Sequence, residues 1–166
     1  MSNMEKRCLL KSWNELCSSW GLKPAVRGTI NYFDFYEYKT PDAISLTPNM
    51  IRLRIEIDTN NTLFGIYYGV YFSLHNSDKM EADKVNIQWK NIRYYIDNYR
   101  KNRYFKSHDC ANERDVDLED ENRYAYWPYW VEACERDEHL IKEDVGLIHK
   151  ALINYGFEVV TTNIPV

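Results

Sequence analysis

The side chains of this chain that could act on a phosphodiester are its carboxylates and a lysine. Such a reaction clusters acids around a divalent cation and places an amine nearby to polarise or deprotonate water. Glu37 and Lys39 stand two residues apart in the run TINYFDFYEYK, and residues at i and i+2 of a strand share a face. By the same parity Asp34 falls on the face opposite Glu37. A second grouping takes Asp42, of the PD at 41–42, with Glu56 and Asp58 of IRLRIEID. These three would be the ligands of a Mg²⁺ ion, with Lys39 as an accessory base, although Asp58 then stands where a lysine would serve better. Neither set is complete, and both also read as solvated charges on a sheet face.

Recognition chemistry is better represented. Lys90, Arg93, Arg100, Lys101, Arg103 and Lys106 alternate with Tyr94, Tyr95, Tyr99, Tyr104 and Phe105, which combines phosphate-pairing charge with rings able to stack on bases. The same mixture suits a protein partner, steered by charge and anchored by rings. The acidic run from Glu113 to Glu121 could neutralise the basic one. Trp127, Tyr129 and Trp130 flank Pro128 and offer a second aromatic anchor, or core packing. His75, His108, His139 and His149 are scattered, and neither His108 with Cys110 nor Cys134 with His139 completes a zinc set. No Ser-His-Asp or Cys-His arrangement is visible.

The elements that must position these residues follow from periodicity. Apolar residues at Leu9, Trp13, Leu16, Cys17 and Trp20 mark a helix from Met4 to Trp20 that Gly21 ends. The aromatic run 29–39 predicts a strand. Residues 51–58 alternate strictly, with Leu53, Ile55 and Ile57 on one face and Arg52, Arg54, Glu56 and Asp58 on the other, so one face should be wet or functional. The TNNT at 59–62 predicts a hairpin turn into a strand over 63–74, where Gly65 and Gly69 leave room for a bulge or a close neighbour. A helix over 83–101 is predicted from Val85, Trp89, Ile92, Ile96 and Tyr99, then an exposed acidic loop over 107–121. The run 124–134 reads as a strand that Pro128 pushes to an edge or a bulge. A last helix over 137–155 carries Leu140, Ile141, Val145, Ile148 and Leu152 and stops at Gly156. The expectation is an α+β fold, a mainly antiparallel sheet flanked by helices in the order α-β-β-β-α-β-α, as one domain over 1–166.

Composition bounds the function classes. Fourteen Tyr, five Trp and six Phe favour half-buried sheets and adhesive surfaces. A net charge of -4 supplies no global field toward nucleic acid or anionic lipid, so any such contact must be local. The run MSNMEKRCLLKSWNELCSSW lacks the continuous apolar stretch expected of a signal peptide, and no run approaches the ~20 apolar residues that span a bilayer. The four cysteines form no CxxC pair and read as reduced structural thiols, so the expected compartment is the cytoplasm, with no membrane partner.

Glu37-x-Lys39 resembles the second half of the metal-dependent PD-(D/E)XK nuclease signature, and the element order is similar to that superfamily's core. In that family an Asp on one strand precedes the E-x-K of the next, and here no strand precedes it. A second resemblance covers about residues 50 to 155: IRLRIEID, FGIYYGVYF, a helix, WPYW and a last amphipathic helix resemble the C-terminal accessory region of some bacterial and phage proteins of the same superfamily. It implies a module that accompanies a nuclease without cleaving anything itself. The expected function is a small non-enzymatic binding or regulatory protein, in a bacterial or phage-infected cell. It would act on a protein, or alternatively a nucleic acid, through its aromatic and basic surface, and need no cofactor. A Mg²⁺-dependent nuclease is the alternative, and self-association through an aromatic edge strand is a third reading.

Overall fold

A computed structural model describes residues 3–27, 30–58, 65–75, 80–101, 107–108, 114–115, 123–133 and 138–163. The predicted turn at 59–62, Arg103 and most of the acidic run lie outside the described residues.

The three apolar stripes each form a helix: α1 (Asn3–Ser19), α2 (Ala82–Tyr99) and α3 (Glu138–Tyr155). Trp13 and Cys17 of α1, Val85, Trp89, Ile92 and Ile96 of α2, and Ile141, Val145, Ile148 and Leu152 of α3 are buried in one core cluster. Two of the helices end in the same way. Gly21 (φ 82°) and Gly156 (φ 124°) adopt the left-handed conformation, and the next residue closes the turn, Leu22 N–H to Cys17 C=O and Phe157 N–H to Leu152 C=O. Leu22 and Phe157 are themselves buried, which supplies the apolar contact that accompanies this cap.

The strands are β1 (Ala25–Arg27), β2 (Ile30–Lys39), β3 (Met50–Asp58), β4 (Gly65–His75), β5 (Ser107–His108), β6 (Arg114–Asp115), β7 (Arg123–Glu132) and β8 (Glu158–Thr162). They pair antiparallel in one eight-stranded sheet of order β1-β2-β3-β4-β7-β5, with β6 also on β7 and β8 also on β2. The α+β architecture and its long elements match the sequence expectation. The four short strands do not appear in it: β1, β5 and β6 are two or three residues long, too short to show a period of two, and β8 follows the last helix.

Two irregularities decide which side chains share a face. On β2, Asp34 pairs with Arg54 but Tyr36 pairs with Leu53, so Phe35 is an extra residue. On β7, Tyr129 pairs with Val70 and Tyr126 with Phe72, so Trp127 and Pro128 together face the single Tyr71. Proline lacks the N–H that a ladder needs, and the bulge falls on it. In β4, Gly69 (φ 152°) lies where a Cβ would stand 2.1 Å from the carbonyl oxygen of Tyr129, the close neighbour that the glycine leaves room for.

Gly69→Ala should therefore cost more than about 2 kcal/mol. Gly146→Ala, inside α3 where a Cβ would meet nothing within 4 Å, should add about 0.5–1 kcal/mol by removing glycine's backbone entropy. Urea denaturation of the two variants checks both signs.

Candidate functional site

The acids singled out in the sequence do not converge. Lys39 pairs with Met50 at one end of the β2–β3 ladder, whereas Glu56 pairs with Tyr32 and Asp58 with Ile30 at the other. Glu56 stands six positions along β3 from Met50, roughly 20 Å at strand rise. Asp42 follows Lys39 at the far end and is exposed. Among the described residues no three His, Cys, Asp or Glu side chains gather as metal ligands would. The proposed set of Asp42, Glu56, Asp58 and Lys39 is thus not a constellation in this fold, because strand length pulls it apart.

The charged face of β3 also differs from expectation. Arg52 is partly exposed, but Arg54, Glu56 and Asp58 are buried. Arg54 Nε donates to Asp34 Oδ1 at 2.6 Å and Nη2 to Asp34 Oδ2 at 3.3 Å, and Nη1 lies 3.5 Å from Glu56 Oε1. The guanidinium is also covered by the ring of Tyr32 at 4.1 Å and that of Tyr71 at 3.9 Å. Burial disfavours the cation, yet the charge and hydrogen bonds of Asp34 outweigh it, so the Arg54 pKa lies above its ordinary value. The Phe35 bulge reverses the parity argument for Asp34, which shares a face with Glu37, and Arg52 reaches both, Nη1 to Asp34 at 3.8 Å and Nε to Glu37 at 3.5 Å. The result is an alternating chain of charge, Glu37–Arg52–Asp34–Arg54–Glu56, in which each acid already faces a cation.

The basic patch on α2 is divided as well. Arg100, at the end of α2, is fully buried and leaves the surface altogether. Its Nε donates to Asp144 Oδ1 at 2.5 Å, Nη2 to Asp144 Oδ2 at 2.6 Å and Nη1 to the Tyr129 hydroxyl at 2.5 Å. Tyr68 donates to Asp144, Tyr129 to Asp97 at 2.6 Å and Ser107 to Asp97 at 3.0 Å. Tyr129, expected as part of an aromatic anchor, is thus a core residue with its hydroxyl committed, and burial raises its pKa despite the opposing charge of Arg100. Arg93 folds back, donating to the carbonyl oxygen of Pro128 at 3.0 Å and to Asn86. It serves a carbonyl beside the β7 bulge. Lys90 and Lys101 remain exposed.

Trp127 and Trp130 stand on the sheet face opposite the helices' core, half-buried, and pack edge-on against Tyr71 at 5.2 Å and Tyr67 at 5.6 Å. A pocket of about 260 Å³ opens between the ends of β1 and β8, lined by Gly21, Lys23, Ala25, Tyr32, Asp34 and Asn163. Its acid, Asp34, is held by Arg54. Cys17, the one cysteine whose side chain is described, is buried, and burial pushes its thiol up to about 12, so it is inert as a thiolate source.

On the outward side of α2, beside Lys90, Tyr94 and Lys101 of the expected patch, Ile87 is the residue that sequence reasoning missed. Ile87 is 76% exposed and Tyr94 70%. They stand seven residues apart, two helical turns, opposite the buried stripe. Asn91 and Asn98 lie between and beyond them, and exposed Lys84, Lys90 and Lys101 flank the row, with Asp83 at its start. The signal was legible: Ile87 is an apolar residue on the polar side of the helix, out of phase with Val85, Trp89, Ile92 and Ile96.

Replacing Arg54 by Met removes the buried guanidinium that Asp34 and Glu56 face, leaving Asp34 only the more distant Arg52, and should cost about 3–5 kcal/mol in urea melts. Lys39→Ala, at an exposed position, should stay within about 0.5 kcal/mol. Because its acids are dispersed, about 5 mM Mg²⁺ should move the thermal midpoint by less than about 1 °C, measured by calorimetry. Compared with known proteins, the chain matches no family model, no curated protein and no solved structure.

Proposed function

We propose that this chain is a non-enzymatic binding module that engages a protein partner through the outer face of α2. The observation that carries this reading is the exposure of Ile87 and Tyr94 in one row between lysines. Two large apolar side chains held in water on a rigid helix are worth on the order of 4 kcal/mol when a partner covers them. The helix-in-groove mode reads anchors at this spacing.

Charge and shape select among partners. Among the described residues, Lys84, Lys90 and Lys101 could neutralise about three phosphates, below the 6–10 contacts typical of firm DNA binding. Isoleucine also has no ring on which a base could stack. A symmetric contact between two copies of α2 would set lysine against lysine, which opposes self-association through this face. A protein with an apolar cleft and an acidic rim fits best. An accessory role beside a nuclease, the role that the sequence resemblance implies, is compatible with such a module. A reducing cytoplasm, bacterial or phage-infected, suits its buried Cys17 thiol.

The test is matched capture with the wild-type chain, Ile87→Asp and Tyr94→Ala as baits, each first shown to retain its melting temperature. A stoichiometric protein partner should weaken roughly 10- to 100-fold on either variant. Equal binding by all three baits, or turnover of a phosphodiester by the purified chain, would overturn the reading.

A further inference from the structure

His149 lies at the point where the last helix meets the edge of the sheet. Its ring stacks on Tyr36 with centroids 3.9 Å apart and planes inclined by 9°. Its Nδ1 is 2.7 Å from the hydroxyl of Tyr38, a residue with no exposed surface. Tyr36 and Tyr38 also take part in the ladder to β8, pairing with Thr162 and Val159. The Tyr38 ring further meets Phe157 edge-on at 6.5 Å, and Phe157 is the residue that closes α3 and leads into β8. One histidine therefore grips, through side chains, the same stretch of β2 that β8 grips through its backbone.

Beyond the strand, Asn163 adds bonds from its N–H to the Phe35 carbonyl and from its side-chain amide to the Asp34 carbonyl, both at 3.0 Å, but the strand itself buries little surface. β8 has five residues, four of them exposed, and its register slips between Glu37 and Tyr38 of β2, leaving Val160 unpaired. Elements with little burial and solvent-exposed ladders open before the rest of a fold.

We propose that His149 is a proton-operated latch for β8: protonation of its imidazole releases β8 from the outer edge of β2 while the rest of the sheet stays paired. With the neutral ring protonated on Nε2, Nδ1 accepts the Tyr38 O–H. The imidazolium carries a proton on both nitrogens, so the Tyr38 hydroxyl loses its acceptor inside the protein, and among the described residues it has no other. The titratable groups facing the ring are the phenols of Tyr36 and Tyr38. One turn away on α3 stand Val145, Gly146, Leu152 and Ile153, none of them charged. Among the described residues, no carboxylate faces the ring to hold an imidazolium in place. Stacking on Tyr36 favours the cation and burial opposes it. Burial prevails, and the His149 pKa lies below the ordinary imidazole value. The sign follows: the closed form binds a proton less readily than the open form. A fall in pH below about 6.5 therefore draws the protein toward opening, and a rise restores closure.

Hydrogen exchange of the full chain at about pH 7.5 and about pH 5.5, corrected for intrinsic rates, reads the latch directly. In the wild type, opening of amides 158–162 should increase several-fold at the lower pH, within the limit of about tenfold per pH unit for one proton. Amides in β3 and β4 should keep their protection. His149→Gln retains an acceptor without titrating and should remove the pH dependence. Tyr38→Phe removes the hydroxyl and should shrink it, which keeps the proposal testable if the glutamine variant does not fold. Protection of β8 that is the same at both pH values, a response unchanged in the variants, or simultaneous loss across the whole sheet would overturn the latch.

Discussion

The contact between Arg100 and Asp144 is the constraint around which the helices and the sheet are arranged. A guanidinium and a carboxylate with 0% and 1% of their side-chain surface exposed persist in a protein interior only when geometry and hydrogen bonding are close to complete. Here the pair is joined by two short bonds, by Tyr68 from β4 and by Tyr129 from β7, and Tyr129 connects onward to Asp97 and Ser107. The end of α2, the middle of α3 and two central strands must all be in place at once for these bonds to form. Apolar packing would tolerate small sliding of α2 and α3 over the sheet, but the paired charges do not.

The second face of the sheet is organised by a related economy. A strand whose outward residues read Arg, Arg, Glu, Asp would ordinarily present them to water. Tyr32 and Tyr71 instead close over Arg54, and Asp34 chelates it. The aromatic excess of the composition is thereby spent largely on covering charge and filling the core rather than on an open adhesive surface. With Arg54, Arg93 and Arg100 consumed internally, the outer row of α2 stands out among the described residues as chemistry that the fold does not use for itself.

Two bulges account for the assignments that parity alone gets wrong. An extra residue at Phe35 brings Asp34 and Glu37 to one face and lets a single arginine, Arg52, span both. The paired insertion of Trp127 and Pro128 sends Tyr126 and Tyr129 into the core while Trp127 and Trp130 take the opposite face. Pro128 announces its bulge through the missing N–H. Nothing local to Phe35 announces the other, since every residue of that run can sit in a regular strand.

The long elements, their apolar stripes and the glycine stops were determined by the sequence itself, because period, propensity and capping act between residues a few positions apart. The tertiary structure alone decided that Arg100 is a buried tie and not a surface cation, that Asp144, lying within the apolar stripe of α3, is its partner, and that Arg54 is sheathed in rings. A charge becomes buried or exposed according to which residue of opposite sign the chain returns to it. Arg54 and Asp34 are twenty residues apart and Arg100 and Asp144 forty-four, separations across which local sequence pattern carries no information.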